Sequence, residues 1–315
     1  MDSSAESSSA SPLVSVILTT RNRAGLLARA VASVQAQSEQ NLELIVVDDA
    51  SEDGTASYLE KLTVQYPRTR VLRNPLPLGG GGARNAGIAI SRGRWVAFLD
   101  DDDEWLPEKL QAQLRVLATA ADAVACSCGY LSRSASGACR TMRVPERASL
   151  EQLLTGNVLG GASMCLCSSA VLKEMGGFDQ RLASGQDIDL WIRLRMRGSV
   201  VARAEPLVVH RAHAGPRITA DMRAQYLGAR RLHFKHRHLM DRGQRRHRVS
   251  FSCYIMSRQP TRTLHHRVRY LVLSIRSAPQ SAPSYLKGSL SGLLRDALRE
   301  SFAPIRARRA RASER

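Results

Sequence analysis

Along the first hundred residues, short apolar runs end in polar or glycine-bearing turns and are followed by stretches of helical spacing. Residues 14–19 form a β-branched run suited to a buried strand. After a turn at 20–23, Leu26, Leu27, Ala30, Val31 and Val34 recur as one helical face. A second apolar run, 42–47, stops at Asp48-Asp49-Ala50-Ser51-Glu52-Asp53-Gly54, and a helix is predicted over 55–66. A third strand at 70–73 leads to a loop holding Pro75, Pro77 and Gly79 through Gly82, then a short helix from Ala83. The run Trp95 to Leu99 is closed by four aspartates, Asp100 to Asp103, and 107–119 reads as a helix. This alternation predicts an α/β domain with a doubly wound, mostly parallel sheet.

Past residue 120 the pattern shifts to shorter strands (123–129, 139–144 and 163–167) mixed with helices. One helix over 186–197 carries Leu190, Trp191 and Leu194 on a single face. Trp105 and Trp191 are expected in the core. Beyond 220, Tyr226, Leu227, Leu232 and Phe234 stand among arginines and histidines, and 270–275 is a short apolar patch. Pro279 and Pro283 mark a break over 277–284, before an amphipathic helix at 285–302. The expected organisation is a disordered tail (1–12), a domain over 13–219 with a nucleotide-binding half (13–103) and an acceptor half (104–219), and a basic helical region over 220–315.

Charge sharpens this division. The net charge is +18, and residues from 221 onward hold 22 Lys and Arg against 5 Asp and Glu, so the first 220 are nearly neutral. A basic region of this kind calls for an anionic partner, a membrane face or a nucleic acid. Tyr226, Phe234, Tyr254 and Tyr270 are interspersed there, but no nucleic-acid-binding motif is present, so an anionic membrane surface is the preferred partner and no nucleic acid is expected. No stretch approaches the length of an apolar membrane span. The Ser- and Ala-rich start lacks the basic end and apolar centre of a signal peptide, and the chain is expected in the cytosol, peripheral on the inner face of the cytoplasmic membrane. The six cysteines are then expected as free thiols; Cys126-x-Cys128 and Cys165-x-Cys167 lack the spacing of zinc knuckles and read as buried strand residues.

Four like charges at the end of a buried strand repel one another, and hard divalent cations are the usual reason for gathering oxygen ligands there. Asp48-Asp49, the glycine run and the aspartate run all fall at strand ends, which a parallel sheet brings to one edge. The glycine run is not followed by Gly-Lys-Ser/Thr, and Arg84 stands where the dinucleotide fingerprint needs its last glycine. A nucleotide site built from carboxylates, a divalent ion and Arg84 fits these observations.

Val14-Ser15-Val16-Ile17-Leu18-Thr19-Thr20-Arg21-Asn22-Arg23, Val47-Asp48-Asp49-Ala50-Ser51, Gly82-Ala83-Arg84-Asn85-Ala86-Gly87, Phe98 through Trp105, Gly176-Gly177-Phe178-Asp179, and Gln186-Asp187-Ile188-Asp189-Leu190-Trp191 follow one another along the chain. This order of motifs resembles the family 2 glycosyltransferases of the GT-A fold. The likeness covers about residues 14–213. The resemblance implies that Thr19, Arg21, Asp49 and Arg84 hold the base and ribose of a nucleotide sugar. Asp100-x-Asp102 matches the DxD signature, with Asp102 ligating Mg²⁺ or Mn²⁺ and Asp100 and Asp101 on the donor. It places His213 at the metal and diphosphate, and Asp187 as catalytic base. Direct attack on the anomeric carbon then inverts it. Three departures from the family pattern stand out: Gln186 where a glutamate is usual, Arg21 where an aromatic is common, and Asp101, which leaves the DxD register open by one. Asp189, two residues after Asp187, is the competing candidate for the base.

The implied activity is transfer of a sugar, hexosyl or N-acetylhexosaminyl, from a nucleotide-sugar donor, UDP-linked by default, to a cell-envelope glycan, glycolipid or related acceptor. The alternative is a catalytically degenerate nucleotide-sugar-binding protein that docks partners. A sugar-phosphate nucleotidyltransferase is disfavoured, because its longer lysine-containing glycine signature near the first strand is absent.

Overall fold

The computed structural model describes residues 12–134, 137–211, 221–259, 262–287 and 289. Contacts divide the chain into two compact units, Met1–Arg181 with Gln186–Gly215, and Leu182–Gly185 with Pro216–Arg315.

The first unit is built on β1 (Val14–Thr20), α1 (Ala24–Gln35), β2 (Leu42–Asp48), α2 (Thr55–Gln65), β3 (Thr69–Arg73), α3 (Gly79–Ile90) and β4 (Trp95–Asp100). It continues through β5 (Asp103–Trp105), α4 (Lys109–Thr119), β6 (Ala123–Arg133), β7 (Cys139–Met142), α5 (Leu150–Thr155), β8 (Leu166–Ser168), α6 (Ser169–Glu174), α7 (Gln186–Arg195) and β9 (Ser199–Arg211). The strands form one mixed sheet in the order β3-β2-β1-β4-β8-β6-β9-β5, with β7 on β6. β3, β2, β1 and β4 run parallel, β8 is antiparallel to both neighbours, and β9 is parallel to β6 and antiparallel to β5. Strands this apolar are buried on both faces: Val16, Ile17, Leu18, Ile45, Val46, Val96, Ala97 and Phe98 are inaccessible to solvent. α1 lays Leu27, Ala30, Val31 and Val34 onto them.

Several elements depart from the sequence expectation. Gly79 through Gly82 are the first turn of α3 rather than a loop. The strand expected at 163–167 is split into a 3₁₀ turn (Ala162–Met164) and β8. β5 and the thirteen-residue β9 lie where no strand was expected. Arg203, Glu205 and Pro206 interrupt the apolar alternation of β9, and its pairing with β6 shifts register near Gly129. Trp105 and Trp191 are buried, and their indole N–H groups donate to the carbonyls of Ser163 and Gly160, both at 2.9 Å.

All six cysteines are free, and Cys126, Cys128, Cys165 and Cys167 are buried. They surround Lys109, whose side chain is wholly buried. Lys109 Nζ stands 3.8 Å from the centre of the Trp105 ring and has no hydrogen-bond partner among the described residues. Burial lowers its pKa from 10.5 to about 8. Below pH 8 the ammonium is charged in both folded and unfolded chains, and its desolvation penalty is fully present. Between pH 8 and 10.5 the unfolded chain holds the proton more tightly, so stability rises with pH. The shift corresponds to about 3 kcal/mol, part of which the ring contact offsets. Lys109→Met is therefore expected to raise stability by about 1–3 kcal/mol at pH 7 and to flatten the alkaline gain. Urea titrations at pH 7 and pH 9.5 check this; a destabilised variant would show that the lysine holds the core together.

The second unit contains α8 (Met222–His236), α9 (Arg242–Ser257) and α10 (Leu264–Ser277). Asp221 and Asp241 cap α8 and α9 through their first backbone amides. α9 and α10 join through Ser250 Oγ, which donates to the Ser274 carbonyl (2.7 Å), and Arg267 Nε, which donates to that of Ser257 (2.9 Å). α10 ends at Ser277, just ahead of Pro279. Among the described residues, no helix is long and apolar enough to cross a membrane. The tail expected at 1–12, save Pro12, and most of the helix expected at 285–302 lie outside the described residues.

Candidate active site

Parallel register brings three strand ends together. Thr19 of β1 lies between Val47 of β2 and Asp100 of β4, so the segments following these strands share one edge of the sheet. Thr19 is half-buried there and Arg21 is exposed. Thr20 Oγ1 donates to Asp101 Oδ2 (2.7 Å), and Arg23 Nη1 reaches Asp101 Oδ1 (2.8 Å) and Asp102 Oδ2 (3.4 Å). Asp101 is buried, and its carboxylate holds Thr20 and Arg23 in place. Burial nonetheless raises its pKa, with Thr20 and Arg23 acting in the opposite direction.

The two aspartates after β2 have separate duties. Asp48 Oδ1 accepts from the Ser51 amide (2.9 Å), which fixes the turn, and Arg73 Nε lies 3.5 Å from its other oxygen. Asp49 Oδ1 accepts from Asn74 Nδ2 (2.8 Å) and the Leu78 amide (2.9 Å), while Oδ2 accepts from the Gly79 amide (2.8 Å). Asp49 thus anchors the start of α3, where a carboxylate also meets the positive end of the helix dipole. A carboxylate offers about four acceptor positions, so one remains.

α3 then carries Arg84 into the site. Arg84 is buried, ion-paired with Asp100, and donates to Gln186 Oε1 at 3.3 Å. Its guanidinium also stands 5.2 Å from the centre of the Phe178 ring. Gln186 packs on the glycine turn: a Cβ at Gly81 would stand 3.1 Å from its Nε2, so a side chain there would require the Gln186 side chain to shift by a few tenths of an ångström. Asn85 latches the segment carrying Phe178, accepting from its amide (2.7 Å) and donating to its carbonyl (2.9 Å).

Asp187 lies in the first turn of α7 and accepts a backbone hydrogen bond from Ala162. Burial lifts its pKa to about 6; Arg84 pulls it down and Asp100 pushes it up. Asp189 is wholly buried and paired with Arg193 Nε at 2.8 Å. Arg193 also donates to the carbonyls of Met175 and Gly177 (3.4 and 2.6 Å), so Asp189 belongs to the packing behind the site.

Asp100, Asp102 and Asp103 each offer an oxygen, and these oxygens lie within 4.8 Å of one another. An all-carboxylate set of this size fits a hard divalent cation such as Mg²⁺ or Mn²⁺. The structure therefore brings Thr19, Asp49, Arg84, Asp100, Asp101, Asp102 and Asp187 to one edge of the unit, with Arg21 exposed beside them. His213 lies outside the described residues.

The family model for glycosyl transferase family 2 matches residues 15–175, about half of the chain and most of the unit that builds this edge. The chain belongs to glycosyl transferase family 2. An uncharacterized glycosyltransferase of Rickettsia prowazekii is 31% identical over 216 residues, which is 65% of each chain. The Escherichia coli UDP-Glc:α-D-GlcNAc-diphosphoundecaprenol β-1,3-glucosyltransferase WfaP is 28% identical over 207 residues, 64% of this chain and 78% of that protein. The crystal structure of Staphylococcus aureus TarS 1–349 in complex with UDP-GlcNAc superposes with a TM-score of 0.59 at 17% identity, covering 88% of this chain and 92% of that one. This last likeness supports the GT-A fold.

In this family 2 glycosyltransferase, the sequence points to Asp103 only as one of four aspartates that would gather a divalent cation, and gives no individual role to Arg23, Asn85 or Phe178. Arg23 and Asn85 sit inside motifs that were recognised, so position within the motif was the available signal. Asp103 needed the geometry: it is the first residue of β5, paired opposite His210, and this pairing turns it back beside Asp100 and Asp102.

Proposed function

We propose that the protein is a metal-dependent inverting glycosyltransferase that moves a sugar from a UDP-linked donor to a lipid-linked or other cell-envelope glycan acceptor. The observation that carries this reading is the meeting of the Asp100, Asp102 and Asp103 carboxylates with Arg84 and Asp187 on one edge of the sheet. The donor preference is supported by the UDP-GlcNAc bound to TarS and the UDP-Glc in the name of WfaP, whose acceptor is a diphosphoundecaprenol-linked sugar.

In this reading the nucleotide lies across the ends of β1, β2 and β4. Thr19, Arg21 and the remaining acceptor position of Asp49 meet base and ribose, while Asp101 keeps Arg23 and Thr20 in register below them. Arg84, neutralised by Asp100 until donor arrives, supplies positive charge to the anionic donor. Mg²⁺ or Mn²⁺ held by Asp102 with Asp100, Asp103 and His213 would supply Lewis acidity for the departing diphosphate. Asp187 accepts the proton of the acceptor hydroxyl; with a pKa of about 6 it is mostly ionised at pH 7, yet basic enough to take that proton. Attack from the face opposite the diphosphate inverts the anomeric centre. The basic region from 221 onward holds the protein at an anionic membrane surface, where a lipid-linked acceptor resides.

Asp102→Asn is expected to weaken Mn²⁺-dependent binding of a UDP-sugar by at least about tenfold, in line with the loss of one metal contact. Calorimetry with UDP-Glc and UDP-GlcNAc, with and without Mn²⁺, reads this. Unchanged metal-dependent binding would remove Asp102 from the metal site, and absence of donor turnover with any acceptor would leave a binding protein.

A further inference from the structure

We propose that the outer face of α8 inserts into the headgroup region of an anionic phospholipid bilayer, with Phe234 and Leu227 as an apolar wedge between arginines. The proposal rests on the reading that the basic region faces a membrane, and it names the surface that does so.

At about 100° per residue, Phe234 and Leu227 fall on the same line of the helix, and Arg223, Arg230, Arg231 and Arg237 all lie within about 60° of it. The opposite side, with Gly228, Ala229 and Leu232, is buried. Phe234 is 53% exposed and Leu227 48%. The Arg230 and Arg237 guanidiniums stand 5.8 and 5.9 Å from the centre of the Phe234 ring. No acidic residue occurs between Asp221 and Asp241. The apolar centre would gain from burial that water does not give it, and the all-basic rim from anionic groups that neighbouring protein charge does not supply. Hydrocarbon under the centre and phosphates under the rim satisfy both, because arginine side chains reach up to headgroup level while their stems lie along apolar surface.

Charge argues against other occupants. The region beyond residue 290 in this chain is itself rich in arginine. A second copy would bring the same positive face. No nucleic-acid-binding motif accompanies the face.

The test is sedimentation of the full chain with vesicles of phosphatidylcholine alone and of phosphatidylcholine carrying one-third phosphatidylglycerol. Binding is expected only with the anionic vesicles, and Phe234→Ala with Leu227→Ser is expected to lower it by about tenfold. Phe251→Ala, an exposed phenylalanine on α9, serves as control and should bind as wild type. Phe234→Trp should show blue-shifted emission with anionic vesicles and quenching by brominated acyl chains. Circular dichroism confirms that each variant is folded. If wild type binds anionic vesicles but the double variant binds equally and the tryptophan does not shift, the wedge is overturned while the wider membrane reading stands. If wild type ignores both vesicles, the membrane reading itself fails. A concentration-dependent dimer abolished by Phe234→Ala, without vesicle binding, would assign the face to a second copy and overturn the proposal.

Discussion

Asp187→Asn is expected to lower sugar transfer by about 10²–10⁴-fold while leaving Mn²⁺-dependent donor binding intact. The acceptor hydroxyl is a poor nucleophile until a base takes its proton, and an amide cannot do so. The same burial that makes Asp187 a useful base also costs stability. Its folded pKa of about 6 exceeds the ordinary 3.8, so between these values the folded chain binds the proton more tightly than the unfolded one, and stability falls as pH rises through that window. At pH 7 the ionised, desolvated carboxylate carries the full penalty. Asp187→Asn should therefore be more stable than wild type at pH 7 by about 1–3 kcal/mol, and equal to it near pH 3. Wild-type kcat/KM should rise with pH through an acid limb near 6, and the residual rate of the variant should lack that limb. Transfer at the wild-type rate would remove Asp187 as base. Lost transfer with lost donor binding would instead make it a ligand for the donor.

The half of the fold that carries the nucleotide site was legible because three of its strands, β1, β2 and β4, are buried on both faces. Runs such as Val14 to Thr19 and Leu42 to Val47 are mostly apolar, broken by Ser15 and Glu43, which hydrogen-bond to each other, and end at the polar residues that line the site. The first turn of α3 was not legible: four successive glycines have the poorest helix propensity after proline, and nothing local holds them helical. What anchors the turn is Asp49, thirty residues earlier, whose carboxylate takes the Leu78 and Gly79 amides, with Gly79 itself in the left-handed region at φ 71°. The adjacent Asp48 and Asp49 look alike in sequence, and only the path of the chain decides that one fixes its own turn and the other a distant helix. β9 was hidden for a related reason. Arg211 is satisfied across the sheet, its Nε meeting Glu104 of β5 at 2.6 Å, while Arg203 pairs with Glu205 within the strand. In the site, the glycine-rich turn betrayed itself by composition, whereas the contact of Gln186 with Arg84 joins residues more than a hundred positions apart.

Asp189→Ala is expected to destabilise the protein by about 3–5 kcal/mol, with the folded fraction still binding donor. Asp189 is wholly buried and its partner Arg193 largely so. Removing the carboxylate leaves the Arg193 guanidinium without compensation, and that guanidinium is tied to the carbonyls of Met175 and Gly177. Gly177 has φ 65°, and a Cβ there would stand 2.2 Å from Asn85 Oδ1, so this turn has little freedom to adjust. The disturbance should reach the Asn85–Phe178 latch, and through Phe178 the position of Arg84. Donor affinity per folded molecule should accordingly fall by a few-fold rather than vanish. Because a buried ion pair replaced on both sides by apolar residues of similar volume is near neutral, Asp189→Leu with Arg193→Met should recover much of the loss, short of the two carbonyl contacts. Denaturant titration of Asp189→Leu, Arg193→Met and the double variant gives the coupling energy directly. The result separates the neighbouring aspartates: one loses the reaction and gains stability, the other loses stability and keeps the reaction. An Asp189→Ala protein that is as stable as wild type but inactive would exchange these roles.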